Sequence, residues 1–157
     1  MNKLAGLVVL ITFAGCDSDR VAKLEKQTAD LERQVTQLHQ SGQLELQAKC
    51  AKDAKAWFNE NWNSRDPSTL LLNYTNHYNA SKNKCFISIE YHFSGVTSDR
   101  AWYNSVSLHD VYENSKYGEI NERHTLDDIK VSDCQVYSKK CSSMQEYQSL
   151  TAQFLNN

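Results

Sequence analysis

The chain has 157 residues, with 17 Lys and Arg against 19 Asp and Glu, and a net charge of −2 at pH 7. This balance leaves no basic stripe for binding phosphate backbones, so we expect no nucleic-acid partner. Five glycines and one proline argue against a disordered or collagen-like chain, whereas eight tyrosines and three tryptophans supply aromatic bulk. The composition predicts one folded domain of modest size, with residues to spare for a further segment.

The first residues of the chain predict export. Met-Asn-Lys gives a short basic start, and the apolar run from Leu4 to Phe13 has ten residues, fewer than the ~18 to 20 that span a bilayer. The small residues Ala14 and Gly15 follow it. Residues 1–15 are therefore predicted to be a signal peptide.

The segment Phe13-Ala14-Gly15-Cys16 resembles the lipobox of bacterial lipoproteins. The resemblance implies that Cys16 is lipidated, becomes the first residue of the mature chain and anchors it to a membrane. In Gram-negative lipoproteins an aspartate after this cysteine favours retention in the inner membrane, and Asp17 matches that pattern. The expected location is the bacterial cell envelope, facing the periplasm; an ordinary cleaved signal peptide is the alternative.

Residues 16–42 are predicted to hold the lipid anchor and a coiled-coil stalk. Two core positions of a heptad recur along this stretch: Val21, Thr28 and Val35 at the first, Leu24, Leu31 and Leu38 at the second. β-branched residues followed by leucine favour parallel self-association, so we expect a homo-oligomer, a dimer or trimer. Three heptads would extend ~30 Å. The alternative is an amphipathic helix that folds back on its own domain.

A helix break is expected at Ser41-Gly42, since glycine costs a helix roughly 1 kcal/mol relative to alanine. Residues 43–157 should form an α+β domain that begins with a second helix, from about Leu44 to Asn63. Ala54, Phe58 and Trp62 lie on one face of this helix, which should pack on a sheet.

Period-two alternation predicts the sheet. Apolar and polar residues alternate from Cys85 to Phe93, and shorter alternating runs lie at 70–78 and 102–108. A fourth short strand is plausible near residues 117–120. A final helix is expected from about Met144 to Leu155, with Ser143 and Glu146 as a capping box. The predicted architecture is an antiparallel meander of three to four strands with helices packed on one face.

Four cysteines remain after Cys16, and an even number in an exported chain favours two disulfides. Three pairings are possible. We favour Cys134 with Cys141, closing a small loop, and Cys50 with Cys85, tying a helix to a strand. A four-cysteine zinc site is the alternative, although no C-x-x-C pair occurs.

The outer sheet face offers one candidate binding site. Pairing the strands by their apolar faces, with Phe93 opposite Trp102, places His77 across from Phe86 and Phe86 across from His109. Two imidazoles beside an exposed ring could receive a partner, bind a metal or sense pH. A calcium site in the polar loop carrying Asp127, Asp128 and Asp133 lacks the spacing of an EF-hand.

No catalytic motif is present, so we expect a protein that is not an enzyme and needs no cofactor. The leading hypothesis is an envelope lipoprotein that presents a small recognition domain on a helical stalk to another envelope protein. The alternatives are a small-ligand or metal-binding module at His77, Phe86 and His109, and an envelope enzyme of unknown class.

Overall fold

A computed structural model describes residues 18–62, 66–95 and 101–156. The predicted signal peptide, Cys16 and Asp17 lie outside these ranges. Two helices, α1 (Ser18–Asn61) and α2 (Met144–Leu155), flank six strands along the chain. The strands are β1 (Thr69–Asn79), β2 (Lys84–Ser94), β3 (Trp102–Asp110), β4 (Ser115–His124), β5 (Ile129–Val136) and β6 (Lys139–Lys140). The α+β class is confirmed, but the sheet has more strands than the three to four predicted. Neither α1 nor α2 combines the length and apolarity needed to cross a lipid bilayer.

Helix α1 passes through Ser41 and Gly42 without a break, so the predicted interruption is wrong. The Ser41 hydroxyl donates to the Leu38 carbonyl, which satisfies the serine inside the helix. The residues after Gly42 include glutamine, leucine and glutamate, which are strong helix formers and offset the cost of one glycine. The chain nevertheless divides into two compact units, Met1–Ser41 and Gly42–Asn157.

The sheet is an antiparallel meander in which each strand pairs with the next along the chain, from β1 to β6. Tyr78 pairs with Cys85, which is the register implied by the predicted pairing of His77 with Phe86. Asn83 and Asn114, in the β1–β2 and β3–β4 turns, have positive φ angles of 51° and 50°, which asparagine tolerates better than most residues. Sequence analysis missed β5 because a register shift in its pairing with β4 interrupts a clean alternation.

The two helices pack on opposite faces of the sheet, which corrects the prediction of helices on one face. The C-terminal part of α1 forms one core with Cys85, Ile87 and Ile89 of β2. Helix α2 forms a second core, which includes Phe86 of the same strand and Leu108 of β3. Because successive strand residues point to opposite faces, β2 supplies both cores in alternation.

Both predicted disulfides are present. Cys50 of α1 is bonded to Cys85 of β2, with their Cα atoms 5.4 Å apart. Cys134 of β5 is bonded to Cys141, with Cα atoms 5.0 Å apart. The first links a helix to the sheet and the second closes the β5–β6 hairpin just before α2.

Helix α2 has the predicted bounds, and both of its ends are fixed. At the start, the Ser143 hydroxyl accepts from the Glu146 backbone amide, as a capping box requires. The Glu146 carboxylate accepts instead from the amide and hydroxyl of Ser142. At the end, the buried Asn79 amide donates to the carbonyls of Gln153 and Phe154. These contacts hold α2 across the sheet.

Candidate functional site

The predicted binding face does not form. His77 pairs with Phe86, as predicted, but Phe86 pairs with Asp110 instead of His109. The Phe86 side chain is 0% exposed and packs against the rings of Tyr117 and Phe154. The ring proposed as the centre of a surface site is therefore part of the α2 core.

The register of β3 explains the failure. Phe93 pairs with Tyr103, and Trp102 pairs with Ser94, which is one residue away from the predicted alignment. A one-residue slip turns every side chain of a strand to the other face. The prediction assumed one core, so it aligned Trp102 and Leu108 with the apolar face of β2, whereas they belong to the α2 side.

The same register places His109 on the α1 side of the sheet. Its imidazole lies 5.1 Å from the ring of Trp57, and Nε2 is 3.0 Å from the Ser107 hydroxyl. Burial lowers the pKa of His109, and the positive charge of Lys116 lowers it further. Hence the two histidines of the predicted site, His77 and His109, lie on opposite faces.

The α2 side of the sheet carries a cleft that sequence analysis did not predict. It has a volume of about 330 Å³ and lies between strands β1, β2 and β3 and helix α2. Asn104 and Glu90 line the sheet wall, whereas Tyr147 lines the helix wall. Apolar side chains of Val106 and Met144 complete the lining. The size falls at the small end of ligand pockets in proteins.

Two buried polar atoms of the cleft lining lack hydrogen-bond partners among the described residues: Asn104 Oδ1 and Tyr147 Oη. Asn104 is 9% exposed and Tyr147 is 2% exposed. A buried polar atom without a partner costs about 1–3 kcal/mol, so such atoms are uncommon unless they have a role. Burial also raises the pKa of Tyr147 above its usual range, which keeps its hydroxyl protonated.

A polar chain behind the cleft fixes the orientation of Asn104. The Asn104 Nδ2 donates to Glu122 Oε2 over 3.2 Å, and His124 Nε2 lies 3.1 Å from the same oxygen. The His124 ring stacks on Trp102 with their centroids 3.8 Å apart. Because Nδ2 donates to the carboxylate, Oδ1 is the amide atom of Asn104 that is left without a partner among the described residues.

Glu90 and His92 repeat the arrangement of Glu122 and His124. In each pair a glutamate and a histidine two residues later lie on the same face of a strand, and His92 Nε2 is 3.0 Å from Glu90 Oε1. The two E-x-H segments, one in β2 and one in β4, were the signal that could have pointed to this face. Without the register, however, nothing placed them on the same side.

A second cavity, of about 380 Å³, has Lys84 and Tyr117 in its wall. Burial alone would lower the pKa of Lys84, but hydrogen bonds to Asp110, Glu113 and Tyr117 outweigh burial and hold the pKa above its usual range. The Lys84 ammonium lies 2.8 Å from both the Asp110 carboxylate and the Tyr117 hydroxyl. The positive charge of Lys84 is therefore already compensated within the fold, and we assign Lys84 a structural role.

Two aspartates of the loop considered for calcium are paired with different lysines. Asp128 is paired with Lys130, and Asp133, in β5, is paired with Lys140. Within residues 18–62, 66–95 and 101–156, no group of three or more His, Cys, Asp or Glu side chains is arranged to hold a metal ion.

Helix α1 exposes the predicted heptad positions in the unit Met1–Ser41. The exposed fraction of these aliphatic side chains ranges from 49% for Val21 to 71% for Leu38. The exposed aliphatic residues at these positions are Val21, Leu24, Leu31, Val35 and Leu38.

Comparison with known proteins gives no relative: no family model, no curated protein and no solved structure matches this chain.

Proposed function

We propose that the protein is a lipid-anchored lipoprotein of the bacterial cell envelope. Its lipidated Cys16 would hold it at the membrane, facing the periplasm, with Asp17 favouring the inner membrane. Its stalk would self-associate, and residues 43–157 would form a recognition domain without catalytic activity that binds another envelope protein. The observation that carries the proposal is the exposed apolar stripe of α1 in the unit Met1–Ser41.

The stripe supports self-association because a lone helix gains nothing from exposed aliphatic side chains. Short isolated helices are marginal in water, and helices with an a/d seam gain stability by burying that seam against a partner. The three heptads have six core positions. Exposed aliphatic side chains occupy five of them, and Thr28 occupies the sixth. A second copy of the chain presents the same spacing and is therefore the partner that fits the seam.

The charges beside the seam favour parallel copies. In a parallel pair, Arg20 of one helix would lie near Glu25 of the other, which is an attraction. An antiparallel pair aligned along the same heptads would bring Glu32 near its own counterpart, which is a repulsion. A parallel arrangement also places both copies of Cys16 at the same end, as attachment to one membrane requires.

The recognition role draws support from the rigidity of the second unit. Two disulfides and two apolar cores restrain the segment Gly42–Asn157. A domain that is rigid before binding loses less conformational entropy when it meets a partner. We do not propose a binding role for the predicted outer face, because Phe86 is buried and His77 and His109 lie on opposite faces of the sheet.

Substitution of Leu31 by aspartate tests the stalk. We expect wild-type protein, solubilised in a mild detergent, to sediment as an oligomer and the Leu31→Asp variant to sediment as a monomer. Gln37→Asp places the same charge on the polar side of the helix and should leave the oligomer intact. Unfolding of the second unit should change by no more than ~0.5 kcal/mol in either variant, since both sites are exposed.

The result that would overturn the stalk proposal is a wild-type chain that sediments as a monomer at every concentration reached. An oligomer that survives Leu31→Asp would equally exclude the seam as its contact.

A further inference from the structure

The cleft between α2 and the sheet has walls that are fixed before any ligand arrives. Asn79 holds the last turn of α2 through its carbonyls. The first turn begins three residues after Cys141, which is bonded to Cys134 of β5. A pocket whose walls do not have to be ordered on binding loses little free energy to conformational entropy.

Two buried polar atoms of the cleft lining, Asn104 Oδ1 and Tyr147 Oη, can accept a hydrogen bond. Asn104 Oδ1 is a carbonyl oxygen and can only accept, whereas Asn104 Nδ2 donates to Glu122. The Tyr147 hydroxyl can accept as well as donate. Both atoms lack a partner among the described residues and belong to side chains more than nine-tenths buried. A ligand that satisfies Asn104 Oδ1 must therefore bring a hydrogen-bond donor.

The charge of the cleft is negative. Among the described residues that line it, Glu90 is the charged one, and no lysine or arginine is present. Its side chain is 47% exposed, so solvent weakens its field without removing it. Val106, Met144 and Leu155 supply apolar surface beside these acceptors. The lining thus combines a carboxylate, an unpartnered amide oxygen, hydroxyl and amide groups of residues such as Ser88 and Gln148, and aliphatic contacts.

We propose that this cleft binds a small organic cation, with a primary ammonium group on a short apolar chain. An ammonium has three donors and no acceptor, so it cannot present a mismatched atom to Asn104 or Glu90. A short aliphatic chain fits a volume of about 330 Å³. A lysine side chain of another protein carries the same group, and the test below separates the two sources. The inference does not depend on the lipid anchor or on the stalk.

Binding of three matched probes to the full chain, followed by NMR chemical shifts and calorimetry, tests the proposal. Hexylammonium, hexanol and hexanoate share an apolar chain and differ in their polar group. We expect hexylammonium to bind at least about tenfold more tightly than either of the others, as hydrogen bonds involving charged groups imply. A lysine peptide with both ends blocked is the fourth probe. Tighter binding of hexylammonium than of the peptide would identify a free amine as the source, and the reverse order would identify a protein side chain.

Two variants locate the site. Tyr147→Phe removes only an oxygen that has no partner among the described residues, so the fold should be retained while hexylammonium binding weakens about tenfold. Glu90→Gln keeps the size of the side chain and removes its charge, and it should weaken binding by a similar factor. Glu60→Gln makes the same change at an exposed residue of α1, outside the cleft, and should leave the affinity unchanged.

The proposal is overturned if hexanoate binds as well as hexylammonium, or if none of the amines binds. It is also overturned if hexylammonium binds and both cleft variants, shown to be folded by their NMR spectra, keep wild-type affinity. Failure of the stalk experiment would leave these results unaffected, so the two proposals fail separately.

Discussion

Protonation of His109 makes the stability of the fold depend on pH. His109 packs against Trp57, and burial lowers its pKa below the value of about 6.5 typical of an unfolded chain. When the pH falls below about 6.5, the unfolded chain takes up a proton at this residue before the folded chain does. The free energy of unfolding therefore decreases on acidification, until the pH has passed the pKa of the folded state.

Replacement of His109 by glutamine should reduce this pH dependence. Glutamine can still hydrogen bond to Ser107, but it does not titrate. We expect the free energy of unfolding to fall less between about pH 7.5 and about pH 5 in His109→Gln than in wild type. Urea unfolding at the two pH values measures the difference, with His39→Gln as a matched removal of an imidazole from the exposed part of α1. Equal pH slopes for wild type and His109→Gln would contradict the explanation by burial.

The two disulfides restrain different elements, and they close loops of different length. Cys50 and Cys85 are 35 residues apart and join α1 to β2, whereas Cys134 and Cys141 are 7 residues apart and stay within one hairpin. A crosslink stabilises a fold mainly by restricting the unfolded chain, and the restriction grows with loop length. The longer crosslink should therefore contribute more to stability.

Removal of each disulfide by paired alanine substitutions should reveal this order. The loop-entropy relation gives a loss of about 4 kcal/mol for Cys50→Ala with Cys85→Ala, and about 2 kcal/mol for Cys134→Ala with Cys141→Ala. Both Cys50 and Cys85 are fully buried, so lost packing would enlarge the first value further. Guanidinium unfolding of the two variants measures both losses. A larger loss for the short loop would show that native packing, and not loop closure, decides the effect.

For the molecule as a whole, the proposed function rests on attachment at one end and recognition at the other. Cys16, the cysteine proposed as the anchor, precedes the heptads, and the heptads precede the unit Gly42–Asn157. This order suits a membrane tether, because each methylene of an acyl chain that is buried in a bilayer contributes about 0.8 kcal/mol to the free energy of membrane binding. Several such chains would hold the protein in place, whereas one alone would not.

Substitution of Cys16 by serine tests the anchor directly. We expect wild-type protein to incorporate radiolabelled palmitate and to fractionate with membranes, and Cys16→Ser to lose the label. Cys134→Ser with Cys141→Ser removes two other cysteines and should leave labelling unchanged. Labelling that persists in Cys16→Ser would place the lipid elsewhere or exclude this kind of anchor.

Local sequence pattern predicted much of the fold. Alternation identified β1, β2 and β3, and the heptads and the capping box identified the helical character of the stalk and of α2, because these signals come from neighbours in the chain. Cysteine count and spacing also led to the observed disulfides. In contrast, β5 was missed, since a register shift breaks the alternation that would have marked it.

The candidate site could not be predicted from the chain alone, because it depends on which strand faces pair. The apolar residues of β3 fit either side of the sheet by pattern, and only the presence of a second core beneath α2 decided that Trp102 and Leu108 lie with Phe86. This packing buries Phe86, places His109 on the α1 side and brings Asn104 and Glu90 into one cleft with Tyr147. The sequence by itself determined the elements and their crosslinks, whereas tertiary packing decided the faces, since a shift of one residue in register reverses every side chain of a strand.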